Sequence, residues 1–343
     1  MGVKILLSAD WHLDSPFSGF PEHQREFLRR QQKMLPEKIF SLCRKEACDL
    51  VLLAGDLFDG EPSRETVDSL HHTLAEIAVP VFIAPGNHDF CGPGSPWLEE
   101  SWPDNVRIFT GGLESLALPE LDCRIWGAGY RSMDCPPLLK DFRGSGPETW
   151  QIGLFHGDPV SANSPCCPIN AAQVRDSGLD LLALGHIHKG GAFRGGKTLC
   201  LWPGCPMGRG WDETGDKGVC IVELEDAARF RAVPLDTVCF YRLEGEASEL
   251  ETLLPAGGND HFYKVTLTGT DDSDVAPRLS RFPNLQLVDR REAPVDLWQE
   301  AGEDTLRGVY FRLLKEMCTE EPNAILAAEI SRKLLAGKEV RLP

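Results

Sequence analysis

Short apolar runs recur along the first two thirds of the chain, at Val3 to Ser8, Leu50 to Ala54, Val81 to Ala84, Arg124 to Trp126, Gln151 to Phe155, Leu179 to Leu184 and Gly218 to Leu224. Several are continuous rather than alternating, the pattern of strands covered on both faces. Helical periodicity lies between the earlier runs, over Glu22 to Lys45 and over Arg64 to Ile77, the second opened by Ser63 as an N-cap. Strand alternating with helix predicts an α/β layered fold. Gly191 to Arg194, Thr198 to Trp202 and Arg229 to Pro234 read instead as antiparallel hairpin strands, so the sheets are expected to be mixed.

The pattern changes after about Gly245. Tyr263, Val265 and Leu267 share one face of a strand, Leu285 to Val288 reads as another, and two helices are expected over residues 304–319 and 323–335. The stretch GEASELETLLPAGGND separates these from what precedes them. The expected organisation is a domain of residues 1–244 followed by a small α+β domain of residues 245–343. No internal repeat, low-complexity tract or sustained heptad is present.

Composition alters this picture little. The 343 residues are 42% hydrophobic, ample for a conventional core, and 33 glycines with 25 prolines predict many turns and loops. The start, from Gly2 to Leu7, is too short an apolar run for a signal peptide or a membrane span, and predicts a cytoplasmic protein with no membrane partner. Twelve cysteines include no C-x-x-C pair; Cys123, Cys200 and Cys220 lie in strand-like stretches where a thiol serves as a small hydrophobe. Neither a zinc cluster nor a disulfide framework is expected. With 35 Lys and Arg against 52 Asp and Glu, the formal charge of −17 argues against broad electrostatic coating of nucleic acid. It leaves open an enzyme that uses clustered carboxylates to hold cations.

Five polar clusters share one placement, at or just beyond the C-terminal end of an apolar run: Asp10-x-His12, Gly55-Asp56-x-x-Asp59, Gly86-Asn87-His88-Asp89, His156-Gly157 and Gly185-His186-x-His188. In open α/β sheets that edge is where ligands bind. Side chains two apart on an extended segment point the same way, so Asp10 with His12, and His186 with His188, are expected to face one site each. Nitrogen and oxygen donors without thiolate suit hard or borderline divalent ions, and two such ions about 3.5–4 Å apart support in-line phosphoryl displacement. Each cluster alone also has a bland reading as a capped loop, a turn or a buried histidine.

Taken together, in this order, the five clusters resemble the whole motif set of the calcineurin-like metallophosphoesterases. That resemblance implies an α/β fold: a two-sheet β-sandwich flanked by helices, with the C-terminal α+β part as a capping domain. It implies two divalent metal ions, with Mn²⁺ favoured and Mg²⁺, Fe²⁺ or Zn²⁺ as alternatives. Asp10, His12, Asp56 and His188 would hold one ion and Asp56, Asn87, His156 and His186 the other, with Asp56 bridging. His88 would act on the scissile phosphate and its leaving oxygen, and Asp59 would orient His88. Asp89 is expected to stabilise its turn. The surrounding stretches ADWHLDSPF, VLLAGDLFD, LLALGHIHKGG and WPGCPMGRGWDETGDKGVCIVEL are similar to bacterial DNA-repair exonucleases of the SbcD and YhaO type. They depart from that pattern at Trp11, usually smaller, and at Cys205-Pro206, where polar residues are common.

The resemblance implies a nuclease acting on DNA phosphodiesters in double-strand-break repair. It also implies a homodimer working with an SMC-like coiled-coil ATPase of the SbcC type, whose usual attachment element is expected to be shortened or absent in this sequence. Arg209 and Phe17 are candidate substrate contacts, and the loop from Asp14 to Phe17 is expected to shape the substrate mouth. Arg131 and Lys189 read as solvated charges near the motifs. Two other readings stand beside this one: a phosphodiesterase on a small nucleotide or lipid-linked substrate, which the acidic charge favours, and a metal-stabilised scaffold without activity.

Overall fold

A computed structural model gives the fold of residues 2–255, 260–292, 296–318 and 323–337. Residues 256–259 of the expected linker and the expected helix end at 319 lie outside the described residues.

Two six-stranded mixed sheets make up the first unit. One sheet holds β1 (Val3–Ser8), β2 (Leu50–Leu53), β3 (Val81–Ile83), β4 (Val106–Ile108), β11 (Gly218–Leu224) and β12 (Ala228–Pro234) in the order β12-β11-β1-β2-β3-β4. The other holds β5 (Glu114–Leu118), β6 (Cys123–Gly127), β7 (Trp150–His156), β8 (Leu181–Gly185), β9 (Gly191–Gly195) and β10 (Thr198–Trp202) in the order β5-β6-β7-β8-β10-β9. Strands β1 to β4 run parallel, as do β6, β7, β8 and β10, while the hairpin strands β9, β11 and β12 pair antiparallel. Strands β4 and β5 had no sequence signal, because both are short edge strands with partly exposed side chains.

Side-chain alternation explains why the central runs are apolar throughout. On β1, Ile5 and Leu7 face the second sheet and pack with Ile125, Ile152, Leu181 and Leu201. Leu6 faces the other way and packs with Leu28, Ile39, Phe40 and Leu70 of the flanking helices. Phe155, Leu182 and Leu184 form a third layer outside the second sheet with Val174 and Leu179. Burying both faces rigidly fixes the strand ends, and those ends carry the chemistry.

The expected helix over Glu22 to Lys45 is in fact two, α1 (Glu22–Lys33) and α2 (Leu35–Glu46), broken at Met34. Pro36 has no N–H to donate to the Gln32 carbonyl, and it restricts Leu35 before it. The side-chain amide of Gln32, buried at that break, donates to the backbone oxygens of Trp11 at 3.3 Å and His12 at 2.6 Å. Helix α3 (Arg64–Ala75) begins at Ser63, whose hydroxyl accepts from the Thr66 N–H.

By internal contacts the chain divides into two units, the first holding residues up to Arg242 together with 260–264 and 282–286, the second the rest. Strands β13 (Phe240–Glu246), β14 (Phe262–Thr268) and β15 (Leu285–Asp289) form a three-stranded sheet. In the second unit the helices Leu306–Met317 and Ala324–Leu335 pack through Phe311, Leu314 and Ala328. All twelve cysteines are free thiols, eleven of them buried. No helix among the described residues is long and apolar enough to cross a membrane.

Candidate metal centre

Strands β1, β2, β3, β7 and β8 all end at one edge of the sandwich, and the five polar clusters follow them. The backbone there is not extended, as the two-apart spacing had suggested. Asp10, His12, Asp56 and His186 have φ of 56°, 47°, 52° and 88°, and Asp14 and Phe17 are left-handed too. Such conformations are costly for non-glycine residues and persist where neighbours over-determine them. Here two loops zip together: the N–H groups of Asp10, His12 and Leu13 donate to the carbonyls of Gly55, Asp56 and Leu57 at 3.0, 3.0 and 2.8 Å. Gly86 is required by proximity, since a Cβ there would lie 2.3 Å from Asp56 Oδ1 and 2.8 Å from the His156 ring.

All seven expected metal-site residues come together. One ligand atom each from Asp10, His12 and His188 falls within 4.8 Å of the others, as do atoms from Asp10, Asp56 and His156. A third such set joins His12 and Asp56 to His88. Asn87 Oδ1 lies 3.0 Å from His156 Nε2 and 3.2 Å from His186 Nδ1. Asp56 reaches both groups, with Oδ2 at 3.3 Å from His156 Nε2 and 3.7 Å from His12 Nε2.

The donor set fits cations. His12 Nδ1 faces Asp59 Oδ1 at 3.3 Å and His188 Nδ1 faces Glu213 Oε1 at 2.6 Å. Each Nδ1 is therefore assigned the proton, which turns the two Nε2 lone pairs toward one another at 3.1 Å. His156 Nδ1 likewise donates to the Ala54 carbonyl at 2.8 Å, so its Nε2 confronts the oxygens of Asn87 and Asp56. Acceptors facing acceptors call for a proton or a metal between them. Asp10 Oδ2 is buried with no hydrogen-bond partner among the described residues, while Oδ1 accepts from the His186 N–H at 2.9 Å.

Electrostatics follow the same geometry. Burial opposes charge on both Asp56 and His156, yet their mutual attraction holds the Asp56 carboxyl well below its usual range and lifts His156 to about 9. Burial lowers His12 and His186, which favours the neutral, metal-binding form. The Asp59 hydrogen bond raises His88, whose side chain is 41% exposed and whose Nδ1 lies 3.0 Å from Asp59 Oδ1. Asp89 is pushed up to about 6 by burial and then by Asp56, while accepting from the N–H groups of Gly86, Asp56, Leu57 and Phe58. It ties the β2 and β3 loops together, in keeping with the turn-stabilising role expected of it.

Some neighbours escaped sequence reasoning. Glu213 lies inside the stretch WPGCPMGRGWDETGDKGVCIVEL with nothing there to single it out, yet it accepts from His188 and also from the N–H and guanidinium of Arg209. Asp158 Oδ2 stands 3.9 Å from His186 Nε2. Ser15 Oγ lies 2.9 Å from Asp59 Oδ2 and 2.8 Å from the His12 carbonyl. Asp14 does not shape a mouth; it accepts from Ser63 N–H and Thr66 Oγ at the start of α3, at 2.7 Å each. Phe17 and Arg209 do line one cleft, of about 540 Å³, with Asp59, Phe20, Trp211 and Arg242.

A carboxylate on the far nitrogen of a histidine fixes the ring and raises its basicity. Glu213→Gln should therefore weaken the affinity for divalent metal by about 10–100-fold, with hydrolysis largely recovered at saturating metal. A metal titration monitored by calorimetry and by activity checks both halves; unchanged affinity would mean that Glu213 serves Arg209 alone.

The model of the calcineurin-like phosphoesterase family matches residues 3–190. An uncharacterized metallophosphoesterase, YhaO of Bacillus subtilis, is 32% identical over 249 residues, 65% of this chain and 57% of the relative. The SbcD component of the nuclease SbcCD from Staphylococcus epidermidis is 33% identical over 107 residues, 29% of this chain and 27% of the relative. The chain thus spans little more than half the length of the first relative and about a quarter of the second. A solved dimetal phosphatase from Danio rerio aligns with 68% of this chain and 98% of its own at 17% identity and a TM-score of 0.44.

Proposed function

The chain belongs to the calcineurin-like phosphoesterase family, whose members are metal-dependent phosphoesterases, and on that premise we propose that it is a DNA nuclease with a dinuclear, Mn²⁺-type centre. The observation that carries the reading is the set of facing acceptor atoms around Asp56, beside the His88–Asp59 pair. Asp10, His12, Asp56 and His188 would hold one ion, and Asp56, Asn87, His156 and His186 the other. Divalent ions bound there would activate water and neutralise charge on the transferring phosphoryl group.

The chain's own residues supply the rest. His88 keeps a proton that can pass to the leaving oxygen, and Asp59 holds the ring by its Nδ1. Arg209 is held on two sides, by Glu213 at 2.9 Å and by Asp59 at 3.8 Å, so it braces the site while one edge faces the cleft. Phe17, Trp211 and Phe20 give that cleft apolar faces on which a base or sugar can rest. Substrate preference for DNA draws on this cleft and on the partial similarity to the SbcD component of SbcCD.

A coiled-coil ATPase partner draws support from the helix Leu306–Met317. Leu306, Tyr310, Leu313 and Met317 recur at helical spacing and are 88%, 42%, 54% and 50% exposed. An apolar stripe of this kind suits an amphipathic helical partner. The homodimer rests on family likeness alone.

The reading is tested by digestion of duplex DNA ends in Mn²⁺ and in Mg²⁺, run beside hydrolysis of a small aryl phosphodiester. Cleavage of DNA at rates exceeding those on the small diester supports a nuclease. Turnover of the small diester with intact DNA ends would favour the second reading, a phosphodiesterase for small nucleotides or lipid-linked substrates, which the charge of −17 suits.

A further inference from the structure

A cavity of about 610 Å³ opens where the two sheets part, between β9 and β10 on one side and β11 and β12 on the other. Its walls are mainly apolar, with Leu201, Trp202, Val219, Phe230 and Val233 among the lining residues. Lys217 also lines it, and is only 8% exposed. Among the described residues the Lys217 ammonium has neither a hydrogen bond nor an ion pair.

That lysine has no counter-charge to explain its burial. Asp216, the carboxylate on the same wall, accepts from Tyr241 Oη at 2.8 Å and lies beyond ion-pair distance of Lys217. The thiols nearest in electrostatic reach are Cys205, pushed up to about 12 chiefly by burial, and Cys239, raised for the same reason. Both are neutral at physiological pH. The remaining cation on the wall, Lys189, is exposed and adds to the positive side. The Lys217 Nζ is not one of the fully buried polar atoms that lack a partner, so the stem is covered while the ammonium keeps a face to the water of the cavity, where an anion can meet it. The volume and the apolar lining are those of ligand sites, in which one or two polar groups set orientation.

We propose that this cavity binds a small organic anion, an apolar body carrying one carboxylate or phosphate, with the charge on Lys217. The site is distinct from the cleft at Phe17 and stands independently of the nuclease reading. His188 forms part of the same wall, so a bound anion lies beside the metal centre.

Calorimetric titration of the full, metal-loaded chain tests this with two probes of the stated chemistry, octanoate and deoxyadenosine 5′-monophosphate. Octanol, which lacks the charge, and inorganic phosphate, which lacks the body, are the controls. At least one probe should bind at least tenfold more tightly than its control. Lys217→Met should weaken that binding at least tenfold, and Ala192→Trp, at an exposed lining position, should block it while leaving Lys217 in place. Preference for octanoate identifies an acyl carboxylate and preference for the nucleotide a phosphate monoester. Two results would each overturn the proposal: neither probe exceeding its control, or binding that Lys217→Met leaves unchanged, which for the nucleotide means occupancy of the metal centre.

Discussion

Replacing His88 with alanine should lower hydrolysis by about 10²–10⁴-fold, the usual worth of a positioned general acid, while the chain keeps nearly its full complement of metal. The geometry makes both halves specific. His88 presents a half-exposed ring at the lip of the site, anchored by Asp59 at 3.0 Å, whereas His12 and His156 are wholly buried. Yet His88 also falls in one of the three sets that could hold an ion, with His12 and Asp56. Metal content of the variant separates the roles: loss of an ion would make His88 a ligand, and full metal with undiminished turnover would remove it from the chemistry altogether. The pH dependence adds a second reading. Asp59 raises the His88 pKa above its ordinary value, so the protonated acid survives to higher pH. Asp59→Asn should move the alkaline limb of kcat/KM to lower pH, toward the intrinsic value near 6.5.

Asp56→Asn should have the largest effect of any single replacement in the chain. Its carboxylate is 1% exposed, meets both groups of ligands, and accepts from the His88 N–H at 2.8 Å through Oδ1. Asparagine preserves the shape and can still accept that N–H, but it removes the charge shared by the two positions. Metal content should fall below one ion per chain, and hydrolysis by about 10³-fold or more. The metal-free protein offers an independent check. His156, lifted to about 9 by Asp56, contributes stability that is fully present below the unfolded value near 6.5 and is lost as pH rises through about 9. Chelated wild type should therefore lose stability across that window, and chelated Asp56→Asn should not show this loss.

What the sequence made legible was the placement of the chemistry, because continuous apolar runs such as Leu50 to Leu53 mark doubly covered strands and the polar clusters stop them. The strand-end clusters that carry Asp10, His12, Asp56, Asn87, His88, His156, His186 and His188 were readable for that reason, whereas their expected roles came from the family resemblance. The backbone that presents them was not: Asp10 and His12 sit two apart in left-handed conformations, set by hydrogen bonds to Gly55 and Asp56 more than forty residues away. The break at Met34 was hidden because amphipathic periodicity continues across it, although Pro36 was a visible signal. Glu213 and Asp158 could not be found in advance, since their meaning lies in contacts with His188 and His186 that local pattern does not encode. Lys217 belongs with them: a single lysine before a strand looks solvated until the fold buries it.

The most direct measurement is the metal stoichiometry of the purified full chain, determined by elemental analysis after Mn²⁺ loading, with activity followed as metal is withdrawn by chelator and restored. Wild type should hold two ions per chain, lose hydrolysis on withdrawal and recover it on restoration, and Asp56→Asn should hold fewer than one ion. Hydrolysis that persists in the chelated protein, or two ions retained by Asp56→Asn, would contradict a dinuclear centre bridged by Asp56.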